Sequence, residues 1–114
     1  MRLTILAALL CIFACSGAFA EQDDRGSGNF MLPYCKDKAK DPFFYGVCFG
    51  TITAISNMTD MLQKEYSFCK PRGATGSQTI PVVILFMEQH PEYMHLPFNW
   101  LVVMALHEAF PCPK

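Results

Sequence analysis

Charged residues are scarce in this sequence. They make up 17% of its 114 residues, and the formal net charge is −1. So small a charge gives no electrostatic reason to expect a nucleic acid or an anionic membrane as a partner. Disorder is not expected either, because hydrophobic residues make up 52% of the chain and such a content favours a packed core. The length allows one domain.

The sequence also lacks an apolar run long enough to cross a membrane, which takes about 20 residues. The run at the amino end covers residues 3–14, follows Arg2 and leads into an A-x-A triplet that ends at Ala20. This order is typical of a secretory signal peptide over residues 1–20, with cleavage after Ala20 and no membrane association afterwards. The alternative is a lipoprotein signal in which Cys15 carries the lipid.

Four of the six cysteines lie beyond this segment. That number in a short chain indicates a disulfide-stapled protein of an oxidising compartment. Residues 21–28 are polar and contain glycine, so we expect a flexible lead there. The folded domain is then expected over residues 29–114, where cross-links would add to a modest core.

Capping signals and hydrophobic periodicity predict an all-α bundle of about four helices. Asn29 is expected to cap a first helix over residues 30–39, which Pro33 limits to about two turns. Asp41 and Pro42 form a strong start signal for a second, amphipathic helix of about 24 residues, which should stop before Pro71.

The second half of the chain predicts two further helices. Thr75 and Gln78 fit a capping box for a third helix that runs to about Gln89, with Pro81 causing a kink or moving the start to Thr79. The β-branched run at 82–84 could instead form a strand. A fourth helix over residues 97–109 is apolar on nearly every side, so it lies either at the centre of the bundle or against another chain.

The predicted helices restrict how the four cysteines pair. Cys48 lies early in the second helix and Cys69 just past its end, roughly 30 Å away at 1.5 Å per residue, whereas a disulfide needs Cα atoms within about 7 Å. Cys35 approaches the start of the second helix near Cys48, and antiparallel helices bring Cys112 to the end that carries Cys69. We therefore predict the disulfides Cys35–Cys48 and Cys69–Cys112.

Motifs for catalysis and metal binding are missing. No nucleophile motif such as G-x-S-x-G is present, and the cysteines are expected in disulfides, so we predict no enzyme and no cofactor. Residues 107–110 lack the second histidine of a zinc motif. His90, His95 and the methionines could offer ligands to copper, but methionine at helical spacing is more typical of a core, so we predict no metal.

Short motifs run through the chain in a recognisable order. They are Cys35, Cys48-Phe-Gly50, Cys69-Lys-Pro71, Thr75-x-x-Gln78, His90-Pro-Glu92, His95-Leu-Pro97, Leu101-Val102, Ala105-Leu106 and Phe110-Pro-Cys112. In this order and spacing, residues 28–112 resemble the Rap/Tai family of immunity proteins, which protect bacteria from peptidoglycan amidases delivered by type VI secretion. Pro33 and Pro81 depart from the family pattern, because these helices are usually written without proline.

The resemblance implies a periplasmic, all-helical homodimer that binds a cognate amidase effector and occludes its active-site cleft. The alternative function is that of a periplasmic acid-stress chaperone, a role that other small helical proteins with disulfides perform.

The connection between the third and fourth helices is the candidate contact with the effector. It carries an aromatic and several titratable side chains with little apolar periodicity, as expected of an exposed binding element. Tyr93→Ala should then weaken inhibition without shifting the melting temperature. The segment could instead merely end one helix and start the next, and the turn with Lys70 and Arg72 is a second candidate surface. The candidate effector-binding residues are Gln89, His90, Glu92, Tyr93 and His95.

Overall fold

A computed structural model describes residues 24–114 as an all-α bundle, the fold class that the sequence predicts. The predicted signal peptide, its cleavage after Ala20 and the alternative at Cys15 lie outside these residues. No strand occurs within the described range, and the run at 82–84 is helical. The four helices are α1 (Gly28–Lys36), α2 (Pro42–Ser56), α3 (Gly76–Gln89) and α4 (Phe98–Ala109), with 3-10 turns at Asp24–Gly26, Thr59–Met61 and Pro91–Tyr93.

The fold begins earlier than predicted. Ser27, not Asn29, caps α1, and its hydroxyl accepts a hydrogen bond from Phe30 N–H at 3.2 Å. Ser27 and Gly28 are buried, so the predicted flexible lead of residues 21–28 overlaps the folded domain. The helix begins earlier because of a tertiary contact, in which the first turn of α1 packs against residues 94–96.

Helix α2 starts where predicted but ends about ten residues early. Asp41 Oδ1 accepts from the N–H groups of Phe43 and Phe44 at 2.9 and 3.2 Å, and the helix stops at Ser56. Beyond it the chain folds back, because Thr59 Oγ1 donates to Phe68 O at 2.5 Å and accepts from Phe68 N–H at 3.1 Å. These two bonds hold Phe68 in the core, where 1% of it is exposed, and a continuing helix would have carried it away.

Helix α3 begins at the predicted capping signal rather than at Thr79. Gln78 Oε1 accepts from Thr75 N–H at 2.8 Å. Pro81 lies inside the helix, and the residue is exposed to solvent.

Helix α4 is the centre of the bundle. Leu101, Val102 and Leu106 are fully buried, and α4 packs against α1, α2 and α3. The sequence predicted that this helix lies either at the centre of the bundle or against another chain, and α4 occupies the centre of the bundle. Its apolar surface does not itself require a second chain, and Trp100 is its one large apolar side chain that is well exposed.

Two disulfides hold the helices together. Cys35–Cys48 joins α1 to α2 with Cα atoms 5.6 Å apart, and Cys69–Cys112 joins the loop before α3 to the segment after α4 with Cα atoms 4.8 Å apart. This is the predicted pairing, although one premise was wrong, since no single helix separates Cys48 from Cys69. Cys69 N–H also donates to Phe110 O at 2.8 Å, which aligns the second pair.

Candidate functional site

The predicted contact segment, residues 89–96, is held in shape by its own backbone. His90 N–H donates to Phe86 O at 3.0 Å, and Pro91, which has no N–H, prevents α3 from continuing. Tyr93 N–H donates to His90 O at 3.1 Å, and Leu96 N–H donates to Tyr93 O at 2.9 Å. The segment is therefore a closed turn rather than an open loop.

The same segment is bonded to the start of α1. Leu96 O accepts from Gly28 N–H at 3.1 Å and Met94 O accepts from Asn29 N–H at 2.9 Å, so the segment satisfies donors that have no partner within a helix. The close approach of α1 to α4 at this point requires glycine, because a Cβ at Gly28 would lie 2.3 Å from Leu101 Cδ1. The contact fixes the segment relative to the bundle.

His90 is the centre of the polar contacts in this segment. Its Nδ1 donates to Glu92 Oε1 at 3.0 Å, since an ionised carboxylate can only accept, and this bond lowers the pKa of the Glu92 carboxyl below its usual value. Its Nε2 lies 3.9 Å from Glu108 Oε2. The imidazole ring contacts Phe86 at 4.4 Å and stacks on Tyr93 at 5.4 Å between centroids.

The five predicted contact residues fall into two groups. Gln89, Glu92 and His95 are exposed and can meet a partner directly, whereas His90 and Tyr93 are half-buried. Tyr93 packs against the core cluster and stacks on Phe86 at 6.4 Å. The expectation that Tyr93→Ala leaves the melting temperature unchanged does not fit this packing, because truncation would open a cavity.

One shallow groove lies beside the segment and a second adjoins the first at Tyr66, a residue that the sequence did not single out as a contact. One groove is lined by His90 and Tyr93 together with His107, Glu108 and Tyr66. The second, of about 300 Å³, is apolar and is lined by Ile55, Met58, Leu62, Tyr66, Asn99, Trp100 and Val103.

Tyr66 separates the two grooves, since it lines both, and its ring meets Trp100 edge-on at 5.3 Å. Both rings are more than 40% exposed. A signal existed in the sequence, because Trp100 is its one tryptophan and lies on a helix that is apolar on nearly every side.

The second candidate surface lies at the opposite end of α3. Arg72 lines a separate shallow pocket near the start of the helix, where Gly73 turns the chain with a φ of 89°. Because α3 has 14 residues, this turn is about 20 Å from the 89–96 segment along the helix. Lys70 is half-buried, with Nζ 3.5 Å from Ser56 Oγ, so it is less available to a partner than Arg72.

A family model of the Rap1a immunity proteins matches residues 27–112. The chain belongs to this family. The matched range begins at the residue that caps α1 and ends at Cys112, so it contains all four helices and both disulfides. No curated protein and no solved structure matches the chain.

Membership of the Rap1a family indicates an immunity protein of type VI secretion and implies a cognate effector as its partner. None of the helices in residues 24–114 has the length and apolarity that a membrane crossing requires. The same residues contain no cluster of three or more His, Cys, Asp or Glu side chains suited to a metal ion.

Proposed function

We propose that this Rap1a protein is a periplasmic immunity protein that binds a peptidoglycan amidase effector of type VI secretion and occludes its active-site cleft. It acts by binding and not by catalysis. Family membership supports the proposed role as an immunity protein. The observation that supports the location of the site is the closed turn at residues 89–96, which hydrogen bonds fix to α1.

A fixed segment suits the occlusion of a cleft. An inhibitor that orders a loop on binding loses affinity to the entropy of ordering, and a segment already held in shape avoids that loss. In residues 89–96 the backbone bonds are made within the free protein. We assign direct contact to the exposed Gln89, Glu92 and His95, and we assign to His90 and Tyr93 the role of holding the turn in position.

The cross-links support the proposed compartment. Both disulfides join cysteines that lie in the family-matched range, and disulfides persist in oxidising compartments such as the bacterial periplasm. We propose that residues 1–20 direct export and are removed after Ala20. We also propose that the exported protein forms a homodimer.

The test uses the effector captured by the protein itself. A pull-down from the host identifies the amidase, and the captured enzyme is assayed on purified peptidoglycan with increasing amounts of immunity protein. The double variant Gln89→Ala/His95→Ala removes two exposed contacts without touching the core. We expect it to raise the inhibitory concentration roughly tenfold or more, as the loss of central contacts does in other interfaces.

Arg72→Ala is the matched control, because it removes an exposed side chain at the other end of α3. Inhibition that survives the double variant but is lost in Arg72→Ala would move the site to that turn. A protein that captures no amidase at neutral pH, and binds several unfolded proteins only below about pH 4 where carboxylates protonate, would be a chaperone instead.

A further inference from the structure

An uncovered apolar surface begins on α2. None of the 15 residues of this helix is charged. Phe43 is 71% exposed and Val47 is 38% exposed, and these two residues are one turn apart on the same side of the helix. Gly46, Gly50 and Ala54 are also exposed. A solvent-facing helix of a soluble protein normally carries polar side chains on its outer side.

The apolar surface continues from α2 into the groove beside Trp100. Val47 and Ala54 lie on the same side of α2, and Met58, two residues beyond the last residue of the helix, lines the groove with Tyr66 and Trp100. Met61 next to it is 80% exposed. We call this the α2 surface. Its large exposed side chains are Phe43, Val47, Met58, Met61, Tyr66 and Trp100.

The area of the α2 surface is close to that of one side of a dimer. With about 200 Å² for a fully exposed large side chain, these six present about 600 Å², before the backbone and small residues between them are counted. The largest apolar patch of an ordinary monomer reaches about 300–600 Å², and each partner of a standard interface contributes about 800 Å².

The two glycines support close approach of another molecule to α2. A Cβ added at Gly46 or Gly50 would meet nothing within 4 Å, so packing within this chain does not require glycine at either position. Glycine inside a helix is destabilising relative to alanine. What it leaves here is open space over the helix backbone on the side that carries Phe43 and Val47.

We propose that the α2 surface is the interface between two copies of this chain. This inference rests on the proposed homodimer and not on the amidase. An apolar surface at the upper end of the range for monomers is typical of an interaction site, and a second copy is the partner that is always present with the chain. Homodimer interfaces are also more apolar than those of partners that exist apart, and an uncharged helix meets its own copy without like charges opposed.

The test compares charge insertions on and off the α2 surface. Val47→Glu and Met61→Glu each place a carboxylate on it, opposite or near the same carboxylate of the second copy. Leu85→Glu is the matched control, because Leu85 is 54% exposed but lies on α3 beside Ala105 and Ala109. Mass is measured by light scattering after size exclusion over a wide range of concentration, and thermal unfolding confirms that each variant is folded.

We expect the natural sequence and Leu85→Glu to have twice the mass of the chain. Val47→Glu and Met61→Glu should raise the dimer dissociation constant roughly tenfold or more. A dimer that both variants leave intact would overturn the inference while leaving the homodimer standing. A natural sequence that stays monomeric, with amidase binding lost in Val47→Glu, would assign the surface to the effector and also overturn it. The amidase assay is read separately, so failure of one proposal is distinguishable from failure of the other.

Discussion

Replacing Gly28 by alanine tests the contact that fixes the 89–96 segment to the bundle. The added Cβ would lie 2.3 Å from Leu101 Cδ1 and 3.1 Å from Met94 O. Neither neighbour can move easily. Leu101 is fully buried at the centre of α4, and Met94 O is held by the hydrogen bond from Asn29 N–H.

The expected loss of stability is the balance of two effects. Forcing a methyl group into a packed core costs about 1–3 kcal/mol, and replacing glycine by alanine returns about 0.4–1 kcal/mol through the unfolded chain. The net destabilisation is therefore about 1–2 kcal/mol. For a domain of this size that lowers the melting temperature by roughly 5–15 °C.

Gly26→Ala is the control, since a Cβ at Gly26 meets nothing within 4 Å and its φ is not positive. Thermal and urea unfolding of both variants should show a loss for Gly28→Ala and almost no change for Gly26→Ala. In the peptidoglycan assay, Gly28→Ala should also inhibit less well, because the segment moves with α1. If Gly28→Ala melts at or above the temperature of the natural sequence, the close approach of α1 to α4 is not as described.

Two further predictions concern the cross-links and the acid response. Replacing Cys69 and Cys112 by alanine opens a disulfide with a sequence separation of 43 residues, so urea unfolding should show a loss of about 4 kcal/mol by the loop-entropy relation; an unchanged midpoint would contradict this. The lowered pKa of Glu92 means that its bond to His90 stabilises the fold at neutral pH and is lost as the pH falls through that pKa. NMR titration of the carboxyl should show an acid-shifted midpoint that His90→Ala moves back up, and an unaltered midpoint in that variant would contradict the assignment.

Local signals explain why the helix starts were largely predictable. Asp41 with Pro42, and Thr75 with Gln78, act through side chains within a few residues of the backbone groups they satisfy. The end of α2 was not predictable in the same way, because it depends on Thr59 bonding across nine residues to Phe68. The spacing of apolar residues along the sequence does not reveal a contact of this kind.

The candidate site was likewise predictable only where local sequence determines it. The prolines around residues 89–96 marked the segment as a connection in the sequence, and the structure has a connection there. The sequence did not show that the segment is bonded to α1, because its hydrogen-bond partners are the N–H groups of Gly28 and Asn29, more than sixty residues away. Nor could the sequence tell that Tyr93 faces Phe86 rather than solvent, since an aromatic in a short loop fits both environments.

The order of the cysteines in the two disulfides bears on how the protein can be oxidised. Each bond joins cysteines that are consecutive among those of the described residues, first Cys35 with Cys48 and then Cys69 with Cys112. A chain that emerges amino end first offers these thiols in that order, so an oxidase pairing each thiol with the next would produce the native set directly. Once residues 1–20, which contain Cys11 and Cys15, are removed as proposed, no bond has to be broken and remade, so we expect an oxidase without an isomerase to be sufficient for this fold.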